Sequence, residues 1–229
     1  MLFFLLTLGA AIPAYILGGI NGAIITSKLF YRKDIRDYGS GNPGLTNFYR
    51  TFGKGGVLLV ILIDTVKTMA PVIFGGWLFG HFTDMGPNEV FALDRFFDEA
   101  LFGQLLAGFF VMVGHCFPVF YKFKGGKGVM AIGTAVLVID WRLALIAWVV
   151  FLVVTAITGY VSLGAMLGTI SFAVSMLLIG IGGLAEINIA VLCVLLVIIR
   201  HVPNIQRLAK GEESRLSFGR KKDDTENEL

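Results

Sequence analysis

The stretch GVLLVILIDTVKTMAPVIFGGWLFG, residues 56–80, is apolar at almost every position. It is long enough for an α-helix to cross the hydrocarbon core of a bilayer, which takes roughly 20 residues. Its only two charged residues, Asp64 and Lys67, are three positions apart and therefore share one face of a helix. The segment predicts a transmembrane helix that carries a charged pair.

Similar apolar runs recur along the whole chain. Hydrophobic residues make up 56% of the 229 residues, charged residues only 15%, and the mean hydropathy is +0.79. A soluble domain carries roughly 25% charge, so this composition excludes an ordinary soluble fold. We predict an all-α, polytopic integral membrane helix bundle, with seven spans at about 2–30, 56–80, 100–120, 129–141, 143–159, 162–183 and 187–200.

The fourth predicted span, 129–141, is short. A 13-residue helix is only about 20 Å long, whereas the hydrocarbon core is about 30 Å thick. If 129–159 does not form two full spans, five remain, and the orientation of both ends is unchanged. The first run lacks a basic leader and continues past Pro13, so we interpret it as a retained span and not as a cleaved signal peptide.

Charge in the loops predicts the orientation. Basic residues cluster in 31–54 and 121–128 and again towards the C-terminus, whereas the loop 81–99 is acidic. The positive-inside rule therefore places the N-terminus outside, the acidic loop outside and the C-terminus in the cytoplasm. We expect one transmembrane domain, 1–213, followed by a polar cytoplasmic tail, 214–229.

The two cysteines, Cys116 and Cys193, lie within apolar segments. Their spacing matches no disulfide framework and no metal site. We interpret both as small buried hydrophobic residues, and we expect neither a metal nor a cofactor.

Three polar segments meet on the predicted cytoplasmic side. The first, GSGNPGLTN at residues 39–47, contains glycines whose backbone N–H groups can form an anion-binding nest. Arg50 follows with a planar guanidinium suited to phosphate. Neutral hydrogen-bonding groups come from Ser40, Asn42, Thr46 and Asn47.

The second segment, FKGGKGVMAIG at residues 123–133, leads from a glycine loop into a helix whose N-terminus would favour an anion. The third, RHVPNIQRLAKGEE at residues 200–213, places His201 and Asn204 on one helix face, with Pro203 expected to bend or end the helix. Neither glycine loop has the spacing of a Walker loop. Cations, nests and helix ends together indicate a phosphate site.

Other interpretations of these residues stay open. Basic residues at cytoplasmic span ends also fix topology or contact anionic lipid headgroups. Asp64 and Lys67 fit a structural ion pair as well as a functional site. His115, in GHCFPVF, fits an ordinary packing residue as well as a ligand.

The segments SGNPGLTN…R, GHCFPVF…FKGGKGV and RHVPNIQRLAKGEE resemble the three signature regions of the bacterial PlsY family, in the same order. The resemblance covers about residues 10–213. It implies an acyl-phosphate-dependent glycerol-3-phosphate acyltransferase of phospholipid biosynthesis, with seven spans in the bacterial inner membrane and a cytoplasmic active site. It implies no direct use of acyl carrier protein or coenzyme A thioesters, and no metal.

The resemblance also implies a set of polar catalytic residues, namely Ser40, Arg50, Lys127, His201 and Asn204. We expect the substrate-binding residues to be Gly41, Asn42, Gly44, Thr46, Asn47, His115, Lys124, Gly125, Gly126, Gly128 and Arg200. In this hypothesis Arg50 and Lys127 neutralise phosphate, Ser40 and Asn204 orient a hydroxyl or carbonyl oxygen, and the N–H groups of 125–128 hold a second phosphate.

Three points of mechanism stay open from the sequence. The general base is either His201 or a phosphate oxygen of the substrate, and we favour the substrate. A covalent acyl-enzyme through Ser40 ranks lower, because no base is fixed beside Ser40 by sequence spacing. The alternative function is a phosphate or organophosphate transporter, although such proteins place binding groups near the midplane of the membrane and often show inverted repeats. We also expect the short span 129–141 to line a groove for the acyl chain.

Overall fold

The structure is a computed structural model, and it describes residues 1–82 and 98–216. Within these residues the chain is helical, with connecting segments and no β-strand. Short 3₁₀ turns lie at Ile35–Asp37 and Val119–Tyr121. The α-helices are α1 Leu2–Gly18, α2 Gly22–Tyr31, α3 Leu45–Phe52, α4 Val57–Phe82, α5 Glu99–Cys116, α6 Val129–Ile139, α7 Trp141–Thr158, α8 Val161–Ile179, α9 Leu184–Arg200 and α10 Val202–Ala209.

The apolar helices confirm the predicted membrane fold. In the described part of the chain, five helical segments are long and apolar enough to cross a membrane, and α9 with α10 forms a bent sixth. Helix α6 has only 11 residues, as its short sequence run predicted. The count of seven spans and the orientation stay predictions. The acidic loop and the polar tail fall mainly on 83–97 and 217–229, outside the described residues.

The first predicted span, 2–30, is interrupted where α1 gives way to α2. Asn21 caps α2, since its side-chain oxygen accepts a hydrogen bond from Ile24 N at 2.9 Å. Its amide nitrogen donates to Pro43 O at 3.0 Å. A polar side chain that satisfies backbone groups competes with a continuous helix. Through the bond to Pro43 O, the break between α1 and α2 is held against the loop that follows α2.

Small residues bring the long helices close together. A Cβ atom at Gly75 on α4 would collide with the backbone of Gly103 on α5, and a Cβ at Gly114 would collide with the backbone of Tyr15 on α1. Close approach through small residues is the usual way that membrane helices pack. The core beside these contacts contains large buried side chains, among them Phe79, Leu105, Met112, Phe172 and Met176.

Two short amphipathic helices, α3 and α10, carry the first and third polar segments. Phe48 anchors α3 in a small separate core with Ala23, Ile24, Ile35 and Val60. Helix α10 turns by 56° from α9, and Pro203 lies in its first turn, where a missing N–H costs little. The predicted bend at Pro203 is confirmed, since α9 ends at Arg200 and α10 begins at Val202 with a different direction.

Candidate active site

A cavity of about 300 Å³ lies where the three polar segments meet. Its lining includes all five residues predicted as catalytic, Ser40, Arg50, Lys127, His201 and Asn204. They come from stretches far apart in the sequence, so their convergence is a property of the fold. The same cavity has a polar end and an apolar end.

The first polar segment is held by Asn47, which is buried in α3. The side-chain oxygen of Asn47 accepts a hydrogen bond from Ser40 N at 3.0 Å, and its amide nitrogen donates to Tyr38 O at 3.0 Å. Gly39 has φ +58°, and a Cβ atom there would collide with the Asn47 oxygen. Asn47 thus fixes the backbone of the loop and leaves the exposed Ser40 side chain at the cavity wall.

The second segment lies against the end of α5. Gly126 N donates to His115 O at 3.0 Å, so this N–H group is already used and does not belong to the expected nest. In the described residues, the N–H groups of Gly125, Lys127 and Gly128 have no acceptor. They precede the free N–H groups at the start of α6, where an anion is favoured.

Arg200 binds two carbonyl groups of the same loop. Its Nε donates to Gly126 O at 3.1 Å and its Nη2 donates to Gly125 O at 3.0 Å. Its guanidinium also lies over the ring of Phe117, 5.1 Å from the centroid. Arg200 therefore orients the loop by holding its carbonyl groups away from the anion-binding side.

A hydrogen-bonded chain connects the second and third segments. Lys127 Nζ donates to Asn204 Oδ1, and Asn204 Nδ2 donates to Glu213 Oε1 at 2.6 Å. The carboxylate of Glu213 also accepts from Ser162 Oγ at 2.6 Å and from Arg207 Nε at 2.7 Å. Each polar group has a defined partner, so the orientation of the Asn204 amide is fixed.

The electrostatics of this network favour an anionic ligand. Burial lowers the pKa of Lys127 to about 8, Glu213 opposes this shift, and Arg207, Arg200 and Arg50 add to it. Burial alone would raise the pKa of Glu213, but hydrogen bonds from Ser162, Asn204 and Arg207 outweigh it and the pKa is lowered. Lys127 therefore interacts with three arginines, whereas Glu213 is the carboxylate that opposes their effect.

His201 is buried at the junction of α9 and α10. Its Nδ1 lies 2.8 Å from Val197 O. A carbonyl oxygen can only accept, so this contact places a proton on Nδ1 and leaves the lone pair of Nε2 available. His201 can therefore accept a hydrogen bond or a proton from a hydroxyl group.

Below the glycine loop, Asp64 and Lys67 form the predicted ion pair, with Oδ1 and Nζ 2.7 Å apart. Both side chains are almost completely buried, at 1% and 2% exposed. Lys67 Nζ also lies 2.9 Å from His115 Nδ1. The pair is therefore in contact with a residue at the cavity wall, and Asp64 itself borders the cavity.

The remaining predicted residues are distributed around this centre. Asn42, Gly44 and Thr46 line the cavity, and Gly41 and Gly125 line an adjoining cleft. Gly128 caps α6 with φ +81°. Lys124 is exposed and is not among the residues that line either space.

Sequence reasoning missed three residues of the network, Glu213, Arg207 and Ser162. Glu213 and Arg207 belong to the third segment, and their spacing of six residues gave no sign that they pair. Ser162 opens an apolar run on α8 and carries no sequence signal of its own. Ser162 reaches the carboxylate because the segment after α10 lies against the start of α8.

The apolar end of the cavity is a groove formed by α6, α7 and α8. Along α8 the lining runs from Ser162 to Phe172, a distance of about 15 Å at 1.5 Å per residue. Helices α6 and α7 contribute Val129, Met130, Ile132, Gly133, Val136, Ala147, Trp148 and Phe151. A polar, cationic end and an apolar groove in one cavity suit a molecule that has an anionic head and a hydrocarbon chain.

Comparison with known proteins gives consistent matches. A family model described as glycerol-3-phosphate acyltransferase matches residues 8–211. The glycerol-3-phosphate acyltransferase of Staphylococcus haemolyticus is 35% identical over 207 residues, covering 90% of this chain and 96% of the relative. The Staphylococcus aureus enzyme of the same name is 35% identical over 205 residues, covering 90% and 95%.

Two solved structures have the same fold. Both are crystal structures of PlsY (YgiH), described as an integral membrane glycerol 3-phosphate acyltransferase. The glycerol 3-phosphate form has a TM-score of 0.76 and 31% identity, and covers 93% of this chain and 96% of that chain. The lysophosphatidic acid form has a TM-score of 0.74 and 30% identity, and covers 93% and 95%.

Proposed function

The chain belongs to the PlsY family of glycerol-3-phosphate acyltransferases, and we propose that its acyl donor is an acyl phosphate and its acceptor group is the sn-1 hydroxyl. The products are then 1-acylglycerol 3-phosphate (lysophosphatidate) and phosphate. The observation that carries the proposal is the single cavity, which joins a cationic polar end to an apolar groove. The similar solved structures are described as forms with the acceptor and with lysophosphatidic acid.

The polar end suits two phosphate groups. Arg50 and Lys127 supply charge for them, and the N–H groups of Gly125, Lys127 and Gly128 supply neutral donors. Ser40 and Asn204 orient the acceptor hydroxyl or the carbonyl oxygen of the donor. Donors aimed in advance at the developing oxyanion are worth about 2.7–4 kcal/mol each in other acyl-transfer sites.

The reaction itself balances without a cofactor. The sn-1 oxygen attacks the acyl carbon, the bond from that carbon to the phosphate oxygen breaks, and phosphate leaves. The hydroxyl proton goes to a phosphate oxygen, while Nε2 of His201 accepts a hydrogen bond that positions the hydroxyl. Phosphate is a good leaving group, so the reaction does not depend on a strong protein base.

The variant His201→Asn separates positioning from base catalysis. If the substrate takes the proton, the variant loses activity without losing either limb of the pH–rate profile of the wild-type protein. If the acidic limb of the profile disappears when the imidazole is removed, His201 is the general base. Rapid quenching that trapped a stoichiometric acyl-Ser40 would instead require a covalent mechanism.

We further infer that 1–213 acts as one catalytic domain in the bacterial inner membrane, and that its active site faces the cytoplasm. The basic segments that form the polar end are those that the positive-inside rule assigns to the cytoplasm. Both substrates of the proposed reaction then reach the site from the cytoplasmic side. Neither acyl carrier protein nor coenzyme A is a direct partner in this proposal.

The test is an assay of the purified protein in detergent with palmitoyl phosphate and labelled glycerol 3-phosphate. We expect lysophosphatidate from the wild-type protein and from Lys54→Ala, which removes an exposed cation outside the cavity, but not from Lys127→Ala. Product from palmitoyl-coenzyme A or an acyl carrier protein thioester, and none from the acyl phosphate, would refute the proposed donor. No product from any donor would favour the transporter alternative. A transporter moves its substrate between two compartments and forms no product in detergent solution.

A further inference from the structure

Lys67, a buried cation on α4, has three partners. Lys67 Nζ lies 2.7 Å from Asp64 Oδ1, 2.5 Å from Ile20 O and 2.9 Å from His115 Nδ1. An ammonium group has three N–H donors and no lone pair. The first two partners are acceptors only, so the third N–H of Lys67 is directed to the imidazole.

This geometry selects one protonation form of His115. Because the ammonium can only donate, Nδ1 of His115 must be the accepting nitrogen. In a neutral imidazole the other nitrogen then carries the proton. The imidazole of His115 is therefore a donor at Nε2. Asp64 cannot easily turn away, since its Oδ1 also accepts from Gly22 N at 3.1 Å.

The donating nitrogen faces the glycine loop of the second polar segment, residues 124–128. A Cβ atom on Gly126 would collide with His115 Nε2, so Nε2 lies beside the Cα of this glycine. Among the described residues Nε2 has no hydrogen-bond partner, and His115 borders the cavity. An unshared donor thus lies next to the N–H groups proposed to hold phosphate.

We propose that Asp64 and Lys67 are positioning residues that hold His115 as the neutral Nε2–H tautomer, so that Nε2–H donates to the phosphate bound at the glycine loop. This inference rests on the proposed function and adds a donor to the same site. A neutral donor adds a directed hydrogen bond for phosphate without adding a further charge to a site that already contains four cations.

The second buried histidine of the cavity provides an internal comparison. The Nδ1 of His201 lies beside a carbonyl oxygen, whereas Nδ1 of His115 lies beside an ammonium group. The two imidazoles are therefore expected to have opposite tautomers. His115 donates to an anion through Nε2, and His201 accepts from a hydroxyl through Nε2.

Nitrogen NMR of the ¹⁵N-histidine-labelled protein tests the tautomers directly. The chain has three histidines, so the single variants His81→Gln and His115→Gln assign the signals. We expect protonated Nε2 and unprotonated Nδ1 for His115, and the reverse for His201. A protonated Nδ1 on His115, whether as the other tautomer or as imidazolium, would overturn the proposal. The spectrum needs no acyl donor, so it is independent of the proposed reaction.

Two replacements of His115 separate its two nitrogens. The amide of glutamine reaches close to the position of Nε2, whereas that of asparagine lies near Nδ1. We expect His115→Gln to keep the KM within about threefold of the wild-type value. His115→Asn should raise it roughly tenfold or more, the size of a lost hydrogen bond to a charged group. A thermal melt in detergent shows whether both variants fold.

Titrating each substrate separately identifies which phosphate is bound. A KM change for glycerol 3-phosphate alone assigns the donor to the acceptor substrate, and a change for the acyl phosphate alone assigns it to the other. Equal KM values for both folded variants, with either substrate, would show that Nε2 donates to neither and would overturn the proposal. Failure of the wild-type protein to use acyl phosphate would instead contradict the proposed function, and binding of glycerol 3-phosphate by calorimetry would then replace KM.

Discussion

At the scale of single residues, the protonation state of Lys127 makes substrate binding depend on pH. Burial lowers its pKa to about 8, so its positive charge is present below that pH and is lost above it. The second pKa of a phosphate monoester is about 6, so glycerol 3-phosphate is a dianion across this range. We expect the KM for glycerol 3-phosphate to rise as the pH passes about 8.

The control for this pH effect is Lys127→Arg. A guanidinium stays charged throughout the accessible range, so the variant should lose the alkaline rise in KM even if its overall activity is lower. The measurement is KM against pH for both proteins. An alkaline limb of equal position in both would show that a group other than Lys127 titrates.

Residue identity could be predicted wherever the chemistry left a local pattern. Glycines beside cations revealed the two loops, and Ser40, Arg50, Lys127, His201 and Asn204 were all placed at the cavity as expected. Asn47, expected to bind substrate, lines the cavity and also satisfies the backbone of its own loop. Whether an amide faces a ligand or a neighbouring turn depends on the loop conformation, which the residue type does not reveal.

At the scale of elements, the segment after α10 closes the polar end of the cavity. Arg50 Nη2 donates to Ser214 O at 3.3 Å, and Leu216 N donates to Gly159 O at 2.7 Å. Together with the bonds to Glu213, these contacts attach the segment to α3, α8 and α10. The predicted boundary between domain and tail, at 213/214, thus falls inside a segment that contacts the bundle.

Two shortened chains test this attachment. A chain that ends at Leu216 keeps every contact just described and should retain full activity. One that ends at Gly211 lacks Glu213 and should lose activity at least roughly tenfold, because Asn204 and Arg207 lose a charged partner worth about 1.5–3 kcal/mol. The point variant Glu213→Gln should fall between the two. Equal kcat/KM in all four proteins would refute a role for the segment.

The groove along α6, α7 and α8 determines which acyl chains fit. Thr169 lies two turns along α8 from the polar end and lines the groove. A phenylalanine there should block the distal part, so that Thr169→Phe lowers kcat/KM for palmitoyl phosphate about tenfold while a shorter acyl phosphate is less affected. Overpacking typically costs 1–3 kcal/mol, so the variant should still fold.

The matched control for the groove is Leu177→Phe, on the exposed side of the same helix. It adds similar bulk away from the cavity and should not change the preference for chain length. The comparison requires kcat/KM for two acyl phosphates of different length with each protein. Parallel losses for both chain lengths in Thr169→Phe would indicate that the hydrocarbon chain is bound elsewhere.

At the scale of the whole molecule, hydropathy predicted the helical membrane fold because long apolar runs have few alternatives in a bilayer. It did not predict the interruption between α1 and α2, because a single asparagine is a weak signal within a run that is apolar overall. The charged pair in α4 was recognised as a pair. Its contact with His115 depends on how α4 and α5 pack, and the small residues that mark where helices approach do not say which side chains then meet.

The orientation in the membrane is the largest feature that rests on charge alone. The rule predicts that the end with Lys124 is cytoplasmic and that the α6–α7 junction, with exposed Trp141, faces outside. Both native cysteines are buried, so they should give little background with a membrane-impermeant maleimide. In intact cells we therefore expect labelling of Trp141→Cys but not of Lys124→Cys, which should become reactive only after permeabilisation. The opposite pattern would show that the bundle has the inverted orientation. The cationic end of the cavity would then lie outside, where substrates supplied from the cytoplasm could not reach it.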